Sequence, residues 1–427
     1  MSIEVGVAEN ALKVPLFAEL YGYGPFKGRR TIGTRDPLYC RVMSVTDGGR
    51  RNLIVTTDAV VTDDLDARTL RARLSIEHGI LPQGILFAGT HTHSGPAMSF
   101  GIGWGEMNQE YLDHWRATVM KTAAEAIGNE EEVRAFAGRS PITTKIGYNR
   151  ADREKDQTDP EIRWIRLVRK DGSVKALVHN HGMHGVVFNA MQKRVSADWM
   201  GEANRLIREK KLAEIPFFIY GAAGDINFKW TRPGAPPEER ESDLAYAGSR
   251  YVEDLAAGME SGGEEIQLGP IQSAFDTVEF PTYVETAEQL RRNAELMKDI
   301  WPFAADRYVE MAVLADRGKD FRVIKDLQVL RMGDFALYAF PGEPFIQLGL
   351  DIMEKSPFAY AMPVGVANGN GRYFPIPETF ARNPIINPKD FDYGYYEIWA
   401  GAGRYMPRYR ENIADFIVGN LLAMKLK

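Results

Sequence analysis

The chain has one cysteine, Cys40, among 427 residues. A single thiol excludes an internal disulfide and fits a reducing compartment. No apolar run approaches the ~18 residues that would span a bilayer. The opening, Met1-Ser2-Ile3-Glu4-Val5, lacks the basic-then-apolar order of a secretory signal. These absences predict a cytoplasmic protein with no membrane partner. An excess of positive charge is also missing. The net charge is −6, so nucleic acid is not an expected partner, because a polyanion is not drawn to an acidic surface. There is no internal repeat and no low-complexity segment. What remains is an ordinary globular composition, 44% hydrophobic and 26% charged, long enough for a large core.

Histidine is scarce as well, which makes its placement informative. Five of the seven histidines fall in two short clusters, His91 and His93, then His179, His181 and His184. The first lies in Gly89-Thr90-His91-Thr92-His93-Ser94-Gly95-Pro96, after the apolar run from Gly84 to Ala88. That order predicts a buried strand ending in a sharp turn. On an extended chain, residues two apart point to the same side. The pair can then hold a metal together, or one can hold it while the other meets substrate. The plainer alternative is two hydrogen-bonded histidines at a turn.

Along the chain, residues 1–36 read as a glycine-rich loop. Leu38 to Val45 and Asn52 to Thr57 read as a hairpin across Asp47-Gly48-Gly49. Leu65 to His78, Asn108 to Ile127, Trp199 to Lys211 and Asp243 to Met259 carry helical patterns, and Arg232 to Arg240 reads as an exposed loop. Further hairpins are expected across Lys170-Asp171-Gly172 and Gly333-Asp334. Helices alternate with strands, but hairpins are frequent. The expected fold class is therefore α/β, with mixed sheets covered by helices, in a single domain over 1–427. Asp58, Asp225 and Glu343 stand at strand-to-loop transitions, where sites are commonly built. Asp198 opens a predicted helix, where capping is at least as good an explanation as catalysis.

Taken in order, these residues resemble the catalytic domain of the neutral/alkaline ceramidase family. The resemblance rests on the His91–His93 motif, Asn149-Arg150, Asn180-His181-Gly182-Met183-His184, Ser196-Ala197-Asp198, Gly224-Asp225, Pro341-Gly342-Glu343 and Asn368-Gly369-Asn370-Gly371-Arg372-Tyr373. It implies a ceramidase-like fold and a Zn²⁺ ion held by His91, His184, Glu343 and Tyr373, with His181 as the alternative to His184. It also implies that His93, Arg150 and Tyr396 face the substrate. Two imidazoles, a carboxylate and a phenolate suit zinc. Asn227 stands where those enzymes carry a serine, and their additional C-terminal β-domain has no counterpart after the last motif.

The resulting expectation is a zinc-dependent hydrolase. It would use metal-activated water on an amide or related bond of a small-molecule substrate, with Asp225 or Asp198 in support. Trp104, Trp199, Trp230 and Trp399, with Lys229, Arg232 and Arg372, lie near the motifs in sequence. They point to a sugar-like or polyhydroxylated ligand, whose C–H faces aromatic rings cover. Two alternatives stand beside this: a zinc-dependent lyase or isomerase acting on a carbohydrate derivative, and a non-catalytic metal-stabilised binding protein. Homo-oligomerisation is left open.

Overall fold

The computed structural model describes residues 3–24, 28–101, 103–230, 234–299, 301–384, 394, 396–400 and 406–427. Three sheets organise them. The first has the order Ile85–Gly89, Arg51–Thr57, Leu38–Thr46, Glu4–Leu12, Glu131–Glu132. The second runs Ile215–Tyr220, Val174–His181, Glu161–Val168, Arg134–Pro141, Glu264–Ile266. The third runs Ile271–Glu279, Ile324–Met332, Phe335–Ala339, Tyr360–Val364. Each sheet is antiparallel except for one parallel pair at an edge. Those pairs are Arg51–Thr57 with Ile85–Gly89, Val174–His181 with Ile215–Tyr220, and Phe335–Ala339 with Tyr360–Val364. This is the mixed α/β class expected.

The inner faces of all three sheets share one core. Val7, Ile54 and Leu86 of the first meet Val178, Phe217 and Ile219 of the second and Leu337, Met362 and Val364 of the third. Each outer face is closed by helices. Gln109–Gly128 lays Trp115, Val119 and Ala123 on the first sheet. Asp198–Glu209 and Pro237–Glu260 cover the second, and Ala287–Met297, Pro302–Asp316 and Ile413–Ala423 pack in the cluster that covers the third. Trp115 is fully buried and gives its indole N–H to the Thr57 hydroxyl at 3.1 Å. Burying a large apolar side chain of this kind stabilises the fold by roughly 1.5–3 kcal/mol.

The three parallel pairs meet at one end of this core. The segment after Tyr360–Val364 ties them together. Gly365 donates to Tyr220 O at 2.9 Å, Val366 to Gly342 O at 2.7 Å and Asn368 to Phe87 O at 2.8 Å. The carboxyl ends of strands from all three sheets are thereby fixed side by side.

Two sequence expectations are corrected here. Residues 1–36 do not form only a loop, because Glu4–Leu12 is a nine-residue strand inside the first sheet. Its Gly6 lies against the Gln109–Gly128 helix so closely that a Cβ there would stand 1.7 Å from Ala126 O. The stretch Arg232 to Arg240 is not wholly an exposed loop either. A helix begins at Pro237, and Arg240 is completely buried, donating to Val187 O at 2.8 Å and Trp230 O at 2.6 Å. Proline in the first turn followed by Glu238-Glu239 is a helix start, with the acids favoured by the helix dipole.

Candidate metal centre

The Ile85–Gly89 strand stops short of the first histidine pair. His91 has a left-handed backbone (φ 69°), with its N–H held by Ala59 O at 2.8 Å. The His93 N–H is held by Gly185 O at 3.1 Å. His91 and His93 therefore converge through a turn and not through the pleat of a strand. Their Nε2 atoms are 3.3 Å apart. His184 follows the Val174–His181 strand and is anchored to Ile226 O by its backbone N–H at 3.0 Å. Glu343, just past Phe335–Ala339, pairs in a short parallel ladder with Tyr373. Its Oε2 lies 3.0 Å from His184 Nε2 and 3.2 Å from His91 Nε2.

The tautomers give this geometry its meaning. His91 Nδ1 is 2.9 Å from Val60 O, and His184 Nδ1 is 3.1 Å from Ile226 O. A carbonyl only accepts, so both Nδ1 atoms carry the proton, and each Nε2 presents a lone pair. Those lone pairs face a carboxylate oxygen, also an acceptor. Both rings are wholly buried. Burial holds the His184 imidazolium down to about 4 and drives His93 well below the usual histidine value. The Nε2 lone pairs of His91 and His184 thus converge on a carboxylate oxygen, a set of acceptors that a bound cation would satisfy. Ligand atoms of His91, His93 and His184 all lie within 4.8 Å of one another. This donor set fits a zinc-like ion, with Nδ1–H bonds to carbonyls orienting two of the rings.

The other expected residues are distributed around this centre. Tyr373 is buried next to Glu343; burial first, then that carboxylate, raises its phenol well above the usual value. Arg150 lies over the Tyr373 ring, 5.4 Å from its centroid, and pairs with Glu397 at 2.9 Å. Tyr396 packs on Tyr373 with 5.5 Å between centroids. Asp225 stands behind them, its carboxylate accepting from Asn149 Nδ2 and from Ile346 N at 2.7 Å each. Asn227 accepts from Arg150 at 3.4 Å.

Other residues are brought elsewhere. His181 bonds to Glu161 O at 3.1 Å and His179 bridges Tyr251 and Asn204, so both serve the packing of the second sheet. Asp58 is taken up by Arg41 and the Tyr39 N–H. Asp198 is no helix cap: its carboxylate gathers the N–H groups of Val187, Phe188 and Trp199. Of the four tryptophans, only Trp104 borders the cleft at Glu343. Trp199 and Trp399 are core, and Trp230 lies on the surface against Tyr246. Arg232 lies outside the described residues.

Sequence reasoning missed Tyr220, whose ring lies 4.6 Å from that of His91, and Tyr23, 5.1 Å from His93. It missed Arg29, which clamps His93 O at 2.6 Å, and Glu397, pushed up to about 8 by burial despite the nearby Arg150. Tyr220 did carry one signal, its place at a strand end just before Gly221.

No protein-family model matches the chain. Two solved structures share its architecture. Neutral ceramidase from Pseudomonas aeruginosa superposes with a TM-score of 0.79 at 16% identity, over 99% of this chain and 74% of that one. A ceramidase complexed with C2 superposes with a TM-score of 0.77 at 15% identity, over 99% and 75%. At such identities the likeness is one of architecture, and this chain has a ceramidase-like fold.

Proposed function

We propose that this protein is a zinc-dependent hydrolase acting on an amide or related bond of a small polar substrate. The observation that carries the reading is the meeting of the His91, His93 and His184 Nε2 atoms with Glu343 Oε2 in a buried site. Zinc in such a ligand set supplies Lewis-acid polarisation of a substrate oxygen and acidifies water. His91, His184, Glu343 and Tyr373 would hold the ion. His93, kept neutral by burial, has an Nδ1 with no hydrogen-bond partner among the described residues. That makes it the group able to take up a proton during bond cleavage. Arg150, pinned by Glu397 and by Gly224 O at 2.8 Å, holds its positive charge beside Tyr373. Asp225 is a positioning residue, because it ties Asn149-Arg150 to the backbone after Glu343.

The neighbours in architecture are ceramidases, which supports hydrolysis of an amide. Asn227 argues for direct attack by water, since an amide side chain is no nucleophile for acyl transfer. The test is elemental analysis of the parent, His91→Ala and His184→Ala, followed by a screen of N-acyl compounds in ¹⁸O-labelled water. Near-stoichiometric zinc lost in both variants, and two products with one carrying the label, are expected. A parent that stays metal-free in excess zinc would sink the reading, and an unsaturated product would make the protein a lyase.

A further inference from the structure

The cleft that reaches Glu343 and Tyr373 is also lined by Tyr21, Trp104 and Asn370. Tyr21 and Trp104 pack on each other, 5.4 Å between ring centroids. Both are buried, 2% and 7% exposed. Yet the Trp104 indole nitrogen has no hydrogen-bond partner among the described residues, and the Tyr21 hydroxyl, though close to the Asn370 side chain, makes no bond of good geometry. Buried polar groups are nearly always paired, and an unpaired donor costs free energy unless something else satisfies it. Two such orphans on one wall of one cleft are a vacancy for acceptors. The indole N–H can only donate, and the Tyr21 hydroxyl is free to donate as well.

The wall also has a shape and a charge. The Trp104 and Trp301 indoles approach the same point, each 3.8 Å from where a Cβ on Gly24 would stand. Trp301 stacks on Tyr396 at 4.8 Å, and Tyr396 leads to Tyr373. Aromatic surface therefore runs from the donors to the metal centre. Burial first, then the Glu343 carboxylate, raises the Tyr21 phenol against an opposing contact with Asn370, so the hydroxyl keeps its proton and can donate it. With the Glu343 carboxylate and the Arg372 guanidinium both lining the cleft, the wall favours neither sign of charge, and a ligand suited to it carries acceptor oxygens and a compact apolar face.

Building on the hydrolase reading, we infer that Tyr21 and Trp104 form a specificity subsite. It holds a neutral hydroxyl or ether oxygen on the amine portion of an N-acyl substrate, with the ring that bears the oxygen lying against the indoles.

The test is calorimetric binding to the zinc-loaded protein, with N-acetyl-D-glucosamine and N-cyclohexylacetamide as probes. They share the amide and the ring size, and only the first has ring oxygens. The parent should bind the sugar about tenfold or more tightly than the cyclohexyl probe, as one or two well-placed hydrogen bonds would give. Tyr21→Phe removes one donor without changing shape and should cut that preference severalfold. Trp104→Phe should do the same, and the double variant should abolish it. An unchanged ratio in Tyr21→Phe, or no preference in the parent, overturns the subsite. Zinc content of the same samples is read separately. A metal-free parent would refute the hydrolase reading, whereas normal zinc with no sugar preference refutes the subsite alone.

Discussion

At the scale of single residues, the centre depends on who holds the ion and who meets substrate. On the proposed ligand set, replacing Glu343 with Gln removes the one carboxylate and leaves two Nε2 lone pairs facing an amide. Zinc affinity should fall by more than the roughly 10–100-fold typical of losing an outer-shell partner, measured by competition with a chromogenic chelator. Gly22 tests His93. It has φ 115°, and a Cβ would stand 2.6 Å from His93 Cγ. Gly22→Ala must displace that imidazole. Zinc stoichiometry should be kept and turnover lost; loss of zinc would instead make His93 a ligand. The spacing of His91 and His93 marked this site in the sequence, because two imidazoles flanked by turn residues are a local pattern. Tyr21, Tyr23 and Tyr220 carry no such pattern. Their nearness to the centre arises only when three sheets close on one another, so no short window of sequence could show it.

At the scale of elements, the Val174–His181 strand does two jobs. It leads to His184, and it turns His179 toward the helices that cover the second sheet. His179 sits between the Tyr251 hydroxyl and Asn204 Oδ1, both at 2.9 Å. Burial, with a smaller push from Arg41, depresses it to about 3. The folded value lies below the unfolded one near 6.5, so the unfolded chain takes the proton first. The stabilising contribution is complete above pH ~6.5 and is lost as pH falls toward 3, by up to roughly 1.4 kcal/mol per pH unit. His179→Gln can keep both hydrogen bonds without titrating. Urea midpoints at pH 7 and pH 5 should differ less for the variant than for the parent; equal differences would refute the assignment. Most elements of this kind were legible from alternating or helical apolar spacing. Glu4–Leu12 was not, because Glu9 and Asn10 interrupt its pattern. Nine pairs with Leu38–Thr46 make it a strand, a tertiary cause.

At the scale of the whole molecule, His91, His184 and Glu343 each follow a strand of a different sheet. Anything that binds them together binds the sheets together. On the zinc reading, a chelator should lower the melting temperature in one cooperative transition, and restoring zinc should reverse it. At a free concentration 100 times the dissociation constant the gain is about 2.7 kcal/mol. A melting temperature indifferent to chelation would show that the cluster stands without a metal. Among the described residues no helix is long and apolar enough to cross a membrane. The mixed architecture was legible from frequent hairpins among helices. The threefold arrangement of parallel edges was not, since pairing between distant strands leaves no local trace.

That arrangement bears on how the right ion would be chosen. His184 and Glu343 are 159 residues apart. A chain still emerging from the ribosome would expose the histidines long before the carboxylate, and two histidines alone would favour copper over zinc by intrinsic affinity. The histidines are gathered by the first two sheets, and the third sheet supplies the carboxylate, so the full donor set exists only once that sheet has closed. On the zinc reading, the carboxylate that completes the set is therefore the last donor to arrive, and it is the finished fold that offers the mixed nitrogen and oxygen site.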